Sequence, residues 1–230
     1  MADVNIIIVA AGSGTRFGAP LPKQFCPLAG RPVLMHTVDA LRRACPAASL
    51  ILVISEDMQS LWDEQCATHG FASPRTVYGG STRWESVRNA LSAVDSDASV
   101  IMVHDGARPF PTTAMLNELT AALSDAEVSG AVPAVPVTDS LRRMHADGIT
   151  SEAIDRSPLR AVQTPQAFRA DILRRAYELP WSPQFTDDAS VVEAAALGRI
   201  AITGGSPTNI KITNPLDISI AEALLRNMPQ

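Results

Sequence analysis

Several stretches of this chain combine glycines, cations and a carboxylate in patterns suited to handling phosphate groups. The first is Ala10-Ala11-Gly12-Ser13-Gly14-Thr15-Arg16-Phe17-Gly18, followed by Pro20, Pro22 and Lys23. Gly12, Gly14 and Gly18 let backbone N–H groups approach phosphate oxygens without interference from a Cβ. Arg16 and Lys23 lie in the same long loop, free to fold over a triphosphate. The spacing is GxGxxxG. A dinucleotide-binding turn needs GxGxxG opening directly into a helix, and a P-loop needs GxxxxGK[ST]. Neither is present, and the prolines delay any helix. A glycine-rich turn with solvated cations is the plainer account of the same residues.

Two further segments carry similar chemistry. Gly79-Gly80-Ser81-Thr82-Arg83, with Ser86 one turn further on, offers small residues and helix-start N–H groups to a flat base edge or an anion. A helix N-cap at Ser81 or Thr82 explains the same residues structurally. His104-Asp105-Gly106-Ala107-Arg108-Pro109 supplies a carboxylate suited to Mg²⁺, which takes one or two carboxylates plus substrate phosphates. Arg108 could clamp a phosphate bidentately, or it could pair with Asp105 to stabilise a loop. His104 reads as a packed residue at a strand end, not as a base. Toward the C-terminus lie Arg156, Thr164-Pro165-Gln166, Thr186-Asp187-Asp188-Ala189-Ser190 and Asn209-Ile210-Lys211-Ile212-Thr213. Thr186 and Asp187 suit the N-cap of a helix running to Leu197, and Asp188 is assigned the same structural role. Lys211 alternates with isoleucines and should point away from them, as an exposed strand lysine does.

The elements that must position these residues follow from hydrophobic patterning. Asn5–Ala10, Ser49–Ser55, Thr76–Tyr78, Ser99–His104, Ala131–Val135 and Ile200–Thr203 read as strands rich in Val and Ile. Continuous apolar runs of this kind suit a sheet covered on both faces. Between them, Leu34/Val38/Leu41/Cys45, Val87/Leu91/Val94, Met115/Leu116/Leu119/Leu123 and Ala221/Leu224/Leu225/Met228 form helical stripes. Strands alternating with helices predict an α/β fold built on a Rossmann-like, doubly wound, mostly parallel sheet within a single domain over 1–230. The phosphate-suited segments then all fall at the carboxyl ends of strands, where such sheets bind ligands. Residues 136–165 break the rhythm. They turn polar, with a turn at Asp147-Gly148, and predict a protruding β-hairpin arm that is either a dimer contact or an ordinary surface hairpin.

Bulk properties narrow the class. The chain has 230 residues, 46% of them apolar, so it can bury a substantial core. A net charge of −5 argues against a general nucleic-acid binder. The apolar run from Ile6 to Ala11 is too short for a membrane span or signal peptide. Cys26, Cys45 and Cys66 have neither disulfide-framework nor zinc spacing and read as free thiols of a cytoplasmic protein.

In sequence order, AAGSGTRFG with PKQF, GGSTRWESV, HDGARPF, PVTDSLRR, DRSPLRAVQTPQAF, TDDAS and NIKITNPLD resemble the 2-C-methyl-D-erythritol 4-phosphate cytidylyltransferase family across nearly the whole chain. The resemblance implies transfer of CMP from CTP to a small phosphorylated polyol with release of pyrophosphate. It also implies Mg²⁺ as cofactor and a homodimer whose β-arm crosses to the neighbouring subunit. Carried over by motif, Ala10, Ala11, Gly12 and Gly14 belong to the nucleotide pocket, and Gly80, Ser81 and Ser86 read cytosine. Arg16, Lys23, Lys211 and Arg156 are the catalytic cations. Asp105 holds Mg²⁺ or substrate hydroxyls. Arg108, Ser140, Arg142, Arg156 and Thr186 hold the polyol phosphate, some across the dimer. Ser81 stands where relatives often carry Asp, and Ser140 and Arg142 stand where Thr and Lys are common. The hydroxyl and the cation are kept while their geometry changes.

The nearest alternative is a ribitol 5-phosphate cytidylyltransferase; the segment from Asp155 to Gln166 resembles the erythritol-phosphate enzymes more. A nicotinamide-dependent oxidoreductase is disfavoured by the glycine spacing, although Glu56 stands near the place of a ribose-binding acid. A non-catalytic nucleotide-binding regulator would not need both lysines, Arg16 and Asp105 together.

Overall fold

A computed structural model of the chain describes residues 3–12 and 21–227. The chain enters through β1 (Val4–Val9), a short antiparallel pair β2 (Pro27–Leu28) and β3 (Arg31–Pro32), and α1 (Val33–Ala44). There follow β4 (Ser49–Ile54), α2 (Gln59–His69), β5 (Arg75–Tyr78), α3 (Arg83–Leu91), β6 (Val100–Asp105) and α4 (Thr113–Ala122). The second half contains β7 (Val128–Pro136), the hairpin β8 (Leu141–Met144) and β9 (Ser151–Ile154), then β10 (Arg160–Val162) and β11 (Gln166–Arg169). It ends with α5 (Ala170–Ala176), α6 (Asp188–Ala194), β12 (Arg199–Gly204) and α7 (Pro215–Asn227).

β6, β1, β4 and β5 lie side by side and parallel. β11 runs antiparallel between β6 and β7, and β12 is parallel to β7. The sheet is therefore mostly parallel, with β11 and the short β10 running against it. Alternation along the strands explains their unbroken apolar character. On β1, Ile6 and Ile8 enter the core with Leu34, Val38 and Leu41 of α1, Trp62 of α2 and Leu116 and Leu119 of α4. Ile7 enters the opposite core with Val87 and Leu91 of α3, Leu173 of α5 and Val191 and Val192 of α6. Both faces are covered, as the patterning requires.

The six predicted strands are all present. α2 and the polar strands β10 and β11 were not anticipated. α2 buries only Trp62, so it lacks a stripe to read. Gln166 of β11 is buried, but its amide is spent on Asp187 Oδ2 (2.8 Å) and the Ala189 N–H (3.1 Å), partners with no local signature. The arm is shorter than residues 136–165: β8 pairs with β9 only, and residues 160–162 return to the main sheet as β10. Gly148, at φ +68°, makes the turn, with Asp147 Oδ1 accepting the Ile149 and Thr150 N–H groups at 2.9 Å. Among the described residues no helix is long and apolar enough to cross a membrane.

Candidate active site

The loops after β1, β5 and β6 meet at one edge of the sheet. The Ala10 N–H donates to Val53 O (2.7 Å), the Gly79 N–H to Ile54 O (2.8 Å) and the Gly106 N–H to Val9 O (2.9 Å). The approach requires small residues: a Cβ on Gly79 would collide with Ala11 Cβ and Ser86 Oγ, and one on Gly106 would lie 2.9 Å from Ala10 Cβ. Ala10 and Ala11 are thus brought against Gly106 and Gly79 at the strand ends, with Ser86 packed beside Gly79 and Gly80. Ser86 Oγ accepts the Gly80 N–H (3.1 Å) and donates to Thr82 O (2.9 Å), tying the turn after β5 to the first turn of α3. The α3 N-cap is Thr82, whose hydroxyl accepts the Glu85 N–H at 3.0 Å. Ser81 is not the cap; its N–H and hydroxyl both donate to Glu85 Oε2 at 2.7 Å.

Lys23 opens a single 3-10 turn, Lys23–Phe25. Its neighbour Gln24 is buried and donates from Nε2 to Ala10 O (2.7 Å) and Gly12 O (2.9 Å), holding the turn against the first loop. Sequence reading passed over Gln24, which carries no charge and no motif chemistry of its own. Gly14 and Arg16 lie outside the described residues.

Asp105 ends β6 and gathers cations from three directions. Lys211 Nζ approaches its carboxylate to 2.7 Å, and Arg83 Nε and Arg108 Nε each stand at 3.6 Å. Burial pushes the Asp105 carboxyl upward, but the Arg83, Lys211 and Arg108 charges override it and hold it well below the usual carboxylate range. Arg83 in turn makes a bidentate pair with Asp188, at 3.0 and 2.6 Å, and Tyr177 Oη donates to Asp188 Oδ1 at 2.6 Å. Burial and the Asp188 charge raise the Tyr177 hydroxyl well above its ordinary value, so it stays a donor. Three cations against two carboxylates leave this cluster with a positive excess at the end of β6. Arg108 donates Nη1 to Asn209 O (2.8 Å), while its buried Nε has no hydrogen-bond partner.

Three expectations change. Asp188 is not a cap: Asp187 is the N-cap of α6, in a reciprocal box with Ser190, and Asp188 is spent on Arg83 and Tyr177. The helix also stops at Ala194, short of Leu197. Residues 209–213 form no strand. Ile212 is buried and its N–H donates to Ala107 O (2.9 Å), which turns Lys211 out toward Asp105. No group of three or more His, Cys, Asp or Glu able to hold a metal occurs among the described residues, so Asp105 would share Mg²⁺ with substrate phosphates and water.

The predicted polyol-phosphate residues divide into two groups. Arg108 joins the Asp105 cluster. Thr186 is exposed beside the α6 cap, its N–H donating to Ser190 Oγ at 3.1 Å. Ser140, Arg142 and Arg156 belong to the exposed arm. Arg142 donates to Ser151 Oγ (2.7 Å) and Ser151 O (2.8 Å), and Arg156 to Thr138 O. Among the described residues no hydrogen bond or ion pair joins these three to the Asp105 cluster. Arg83 is the main residue the sequence reading left without a role, although it sits inside the GGSTR motif. Its partner Asp188 is 105 positions away.

Comparison with known proteins agrees over the full length. A family model described as 2-C-methyl-D-erythritol 4-phosphate cytidylyltransferase (IspD) matches residues 4–227. The enzyme so named from Porphyromonas gingivalis is 45% identical over 221 residues, covering 95% of this chain and 96% of that one. The one from Bacteroides fragilis is 42% identical over 221 residues, covering 95% and 98%. Among solved structures, 4-diphosphocytidyl-2C-methyl-D-erythritol synthase from Anaerococcus prevotii has a TM-score of 0.81 at 28% identity, covering 98% of this chain and 99% of that one. The 2-C-methyl-D-erythritol 4-phosphate cytidylyltransferase from Thermus thermophilus has a TM-score of 0.73 at 30% identity, covering 98% and 100%. The motif order, the strand-end cation cluster and matches over almost the entire length together establish that this chain belongs to the 2-C-methyl-D-erythritol 4-phosphate cytidylyltransferase family.

Proposed function

We propose that this chain transfers the cytidylyl group of CTP to 2-C-methyl-D-erythritol 4-phosphate, releasing pyrophosphate and forming 4-diphosphocytidyl-2-C-methyl-D-erythritol. The observation that carries the reading is the cation cluster around Asp105 at the strand ends, in a chain that matches the family from residue 4 to 227.

The chemistry accounts for the residue types. The nucleophile is a phosphate monoester whose second pKa of about 6 leaves it mostly dianionic at neutral pH, so no general base is needed. Its oxygen attacks the α-phosphorus of CTP in line. The bond from that phosphorus to the bridging oxygen breaks, and pyrophosphate leaves with the electron pair. The barrier is repulsion between anions, which positioned cations offset. Ala10, Ala11, Gly12, Gly80, Ser81 and Ser86 take the cytidine, and Gly14 is assigned to the nucleotide with them by its motif. Lys23 and Arg16 act on the triphosphate. Lys211, whose side chain is 40% exposed, moves from Asp105 onto the reacting phosphates, while Arg108 and Thr186 hold the acceptor. Mg²⁺, when bound, would neutralise charge on the triphosphate and the leaving pyrophosphate, and Asp105 is the carboxylate placed to share it with the phosphates.

Ser140, Arg142 and Arg156 complete the acceptor pocket of a second copy in a homodimer. Their isolation from this chain's own cluster supports that reading, as do Met144 and Ile149 of the arm, 56% and 85% exposed. Three free cysteines fit a reducing compartment such as the cytoplasm.

Pyrophosphate release with CTP, Mg²⁺ and either methylerythritol 4-phosphate or ribitol 5-phosphate tests the assignment. Turnover only with the methylerythritol substrate is expected. Equal or faster turnover with ribitol phosphate would overturn the acceptor, and use of UTP as readily as CTP would overturn the base assignment.

A further inference from the structure

One buried polar arrangement is left over once the cations are assigned. Arg108 Nη1 donates to the carbonyl of Asn209 (2.8 Å), and Asn209 Nδ2 donates to the carbonyl of Thr164 (2.8 Å). Thr164 Oγ1 lies 3.1 Å from His104 Nδ1, and His104 Nε2 lies 2.9 Å from the carbonyl of Arg108. The four contacts close a ring through three segments distant in sequence: the end of β6, the connection from β10 to β11, and the stretch between β12 and α7.

The proton positions follow from the partners. The Arg108 carbonyl can only accept, so His104 Nε2 carries the hydrogen and Nδ1 is the acceptor. Thr164 then donates its single hydroxyl hydrogen to Nδ1, and its oxygen is free to accept the Asp105 N–H, which lies 3.0 Å away. A neutral imidazole satisfies every contact. Burial agrees, pushing the His104 pKa down to about 4. His104 and Asn209 are fully buried and Thr164 nearly so.

We propose that this ring sets the spacing between Asp105 and Arg108 on one side and Lys211 on the other, with His104 and Asn209 as positioning residues for cytidylyl transfer. Lys211 lies two residues beyond Asn209, and Ile212 is tied to Ala107 by its N–H, at 2.9 Å. Both ends of the lysine's short segment are therefore anchored to residues 107 and 108. The ring fixes the Asp105 backbone directly and Lys211 through Asn209. None of its four residues is among those assigned to the cytidine, so recognition of the base should be insensitive to it. The inference rests on Lys211 and Arg108 acting on the reacting phosphates.

The ring makes three linked predictions. His104→Gln keeps a donor near Nε2 and loses the acceptor for Thr164. With folding verified by circular dichroism, kcat should fall about tenfold to a hundredfold, the scale for a misplaced catalytic group, while the KM for CTP stays near that of the parent. Asn209→Ala should behave alike, and the double variant should lose much less than the product of the two, because both break one ring. Thr164→Val, which removes only the hydroxyl, should be impaired, and Thr164→Ser should restore turnover. A packing role alone would lower the melting temperature and leave the kcat of folded protein unchanged; that result, or multiplicative losses in the double variant, overturns the proposal. Nitrogen-15 NMR of His104 in the unliganded protein reads the ring without any turnover. It should show a neutral Nε2–H tautomer at pH 7, and an Nδ1–H tautomer would refute the ring even if the enzyme's acceptor were misassigned. An inactive parent enzyme with the expected tautomer would instead fault the functional reading alone.

Discussion

The strand-end face and the β8–β9 arm both carry arginines assigned to the same acceptor, yet they hold them in opposite ways. On the strand-end face Arg83 and Arg108 are set among buried carboxylates and carbonyls from distant segments, so their positions are paid for by the core of the fold. On the arm, Arg142 reaches Ser151 across the hairpin and Arg143 reaches Glu152 at 2.7 Å, with 67% and 49% of those two side chains exposed. Contacts of that kind are local and solvated and contribute little to stability. The first region is preorganised by this chain. The second takes its partners from within its own hairpin.

The most disruptive way to test the contrast is Asp188→Ala. It leaves the half-buried Arg83 without its bidentate partner and the buried Tyr177 hydroxyl without its acceptor, and the expected loss is about 2–3 kcal/mol of unfolding free energy by urea denaturation. A loss below 1 kcal/mol, on the order of an exposed pair, would erase the difference between the two regions. Lys211→Ala should come next. Removing one preorganised cation is expected to lower kcat by roughly a hundredfold to a thousandfold, while melting stays near that of the parent because the lysine is partly exposed and Arg83 and Arg108 remain beside Asp105. Near-normal turnover would remove Lys211 from the mechanism.

Acid titration sharpens the same comparison. His104, buried at the strand end, has a folded pKa of about 4 against an ordinary 6.5. The folded protein resists a proton that the unfolded chain accepts, so stability is complete above pH 6.5 and falls as pH drops toward 4, by about 3 kcal/mol for a shift of that size. Asp105, held below its usual range, adds a loss at still lower pH. His104→Gln should flatten urea stability between pH 6.5 and 4, and an unchanged slope would place the acid sensitivity elsewhere. The smallest effect belongs to the arm. Arg143→Ala should cost under about 1 kcal/mol, and Arg142→Ala should be equally silent in melting yet raise the KM for the polyol phosphate. Arg142→Ala with unaltered kinetics would leave the arm without a part in the site.

Much of the fold was legible because its signals are local. β1, β4 and β6 carry the apolar runs Ile6–Val9, Leu50–Ile54 and Val100–Val103 since each is covered on both faces, and the arm announced itself through polarity and the Asp147-Gly148 turn. α2 was not legible, since a helix burying only Trp62 has no stripe. β10 and β11 were missed because their strand character comes from pairing with β7 and β6. Asp188 was misassigned for a related reason: an acid at a helix start reads as a cap, and nothing nearby in sequence reveals an arginine 105 residues away.

The sequence by itself determined the chemistry of this protein: which glycines, cations and carboxylate occur, and that the first-strand loop, the Gly80 segment and Asp105 fall at strand ends, because strand and helix periodicity are written in neighbouring residues. Only the tertiary structure decided which charges meet. Asp105 faces Arg83, Arg108 and Lys211, and His104 closes a ring with Thr164 and Asn209, because burial removes water as a competing partner and leaves each polar group to be satisfied by whatever the sheet brings within about 3 Å.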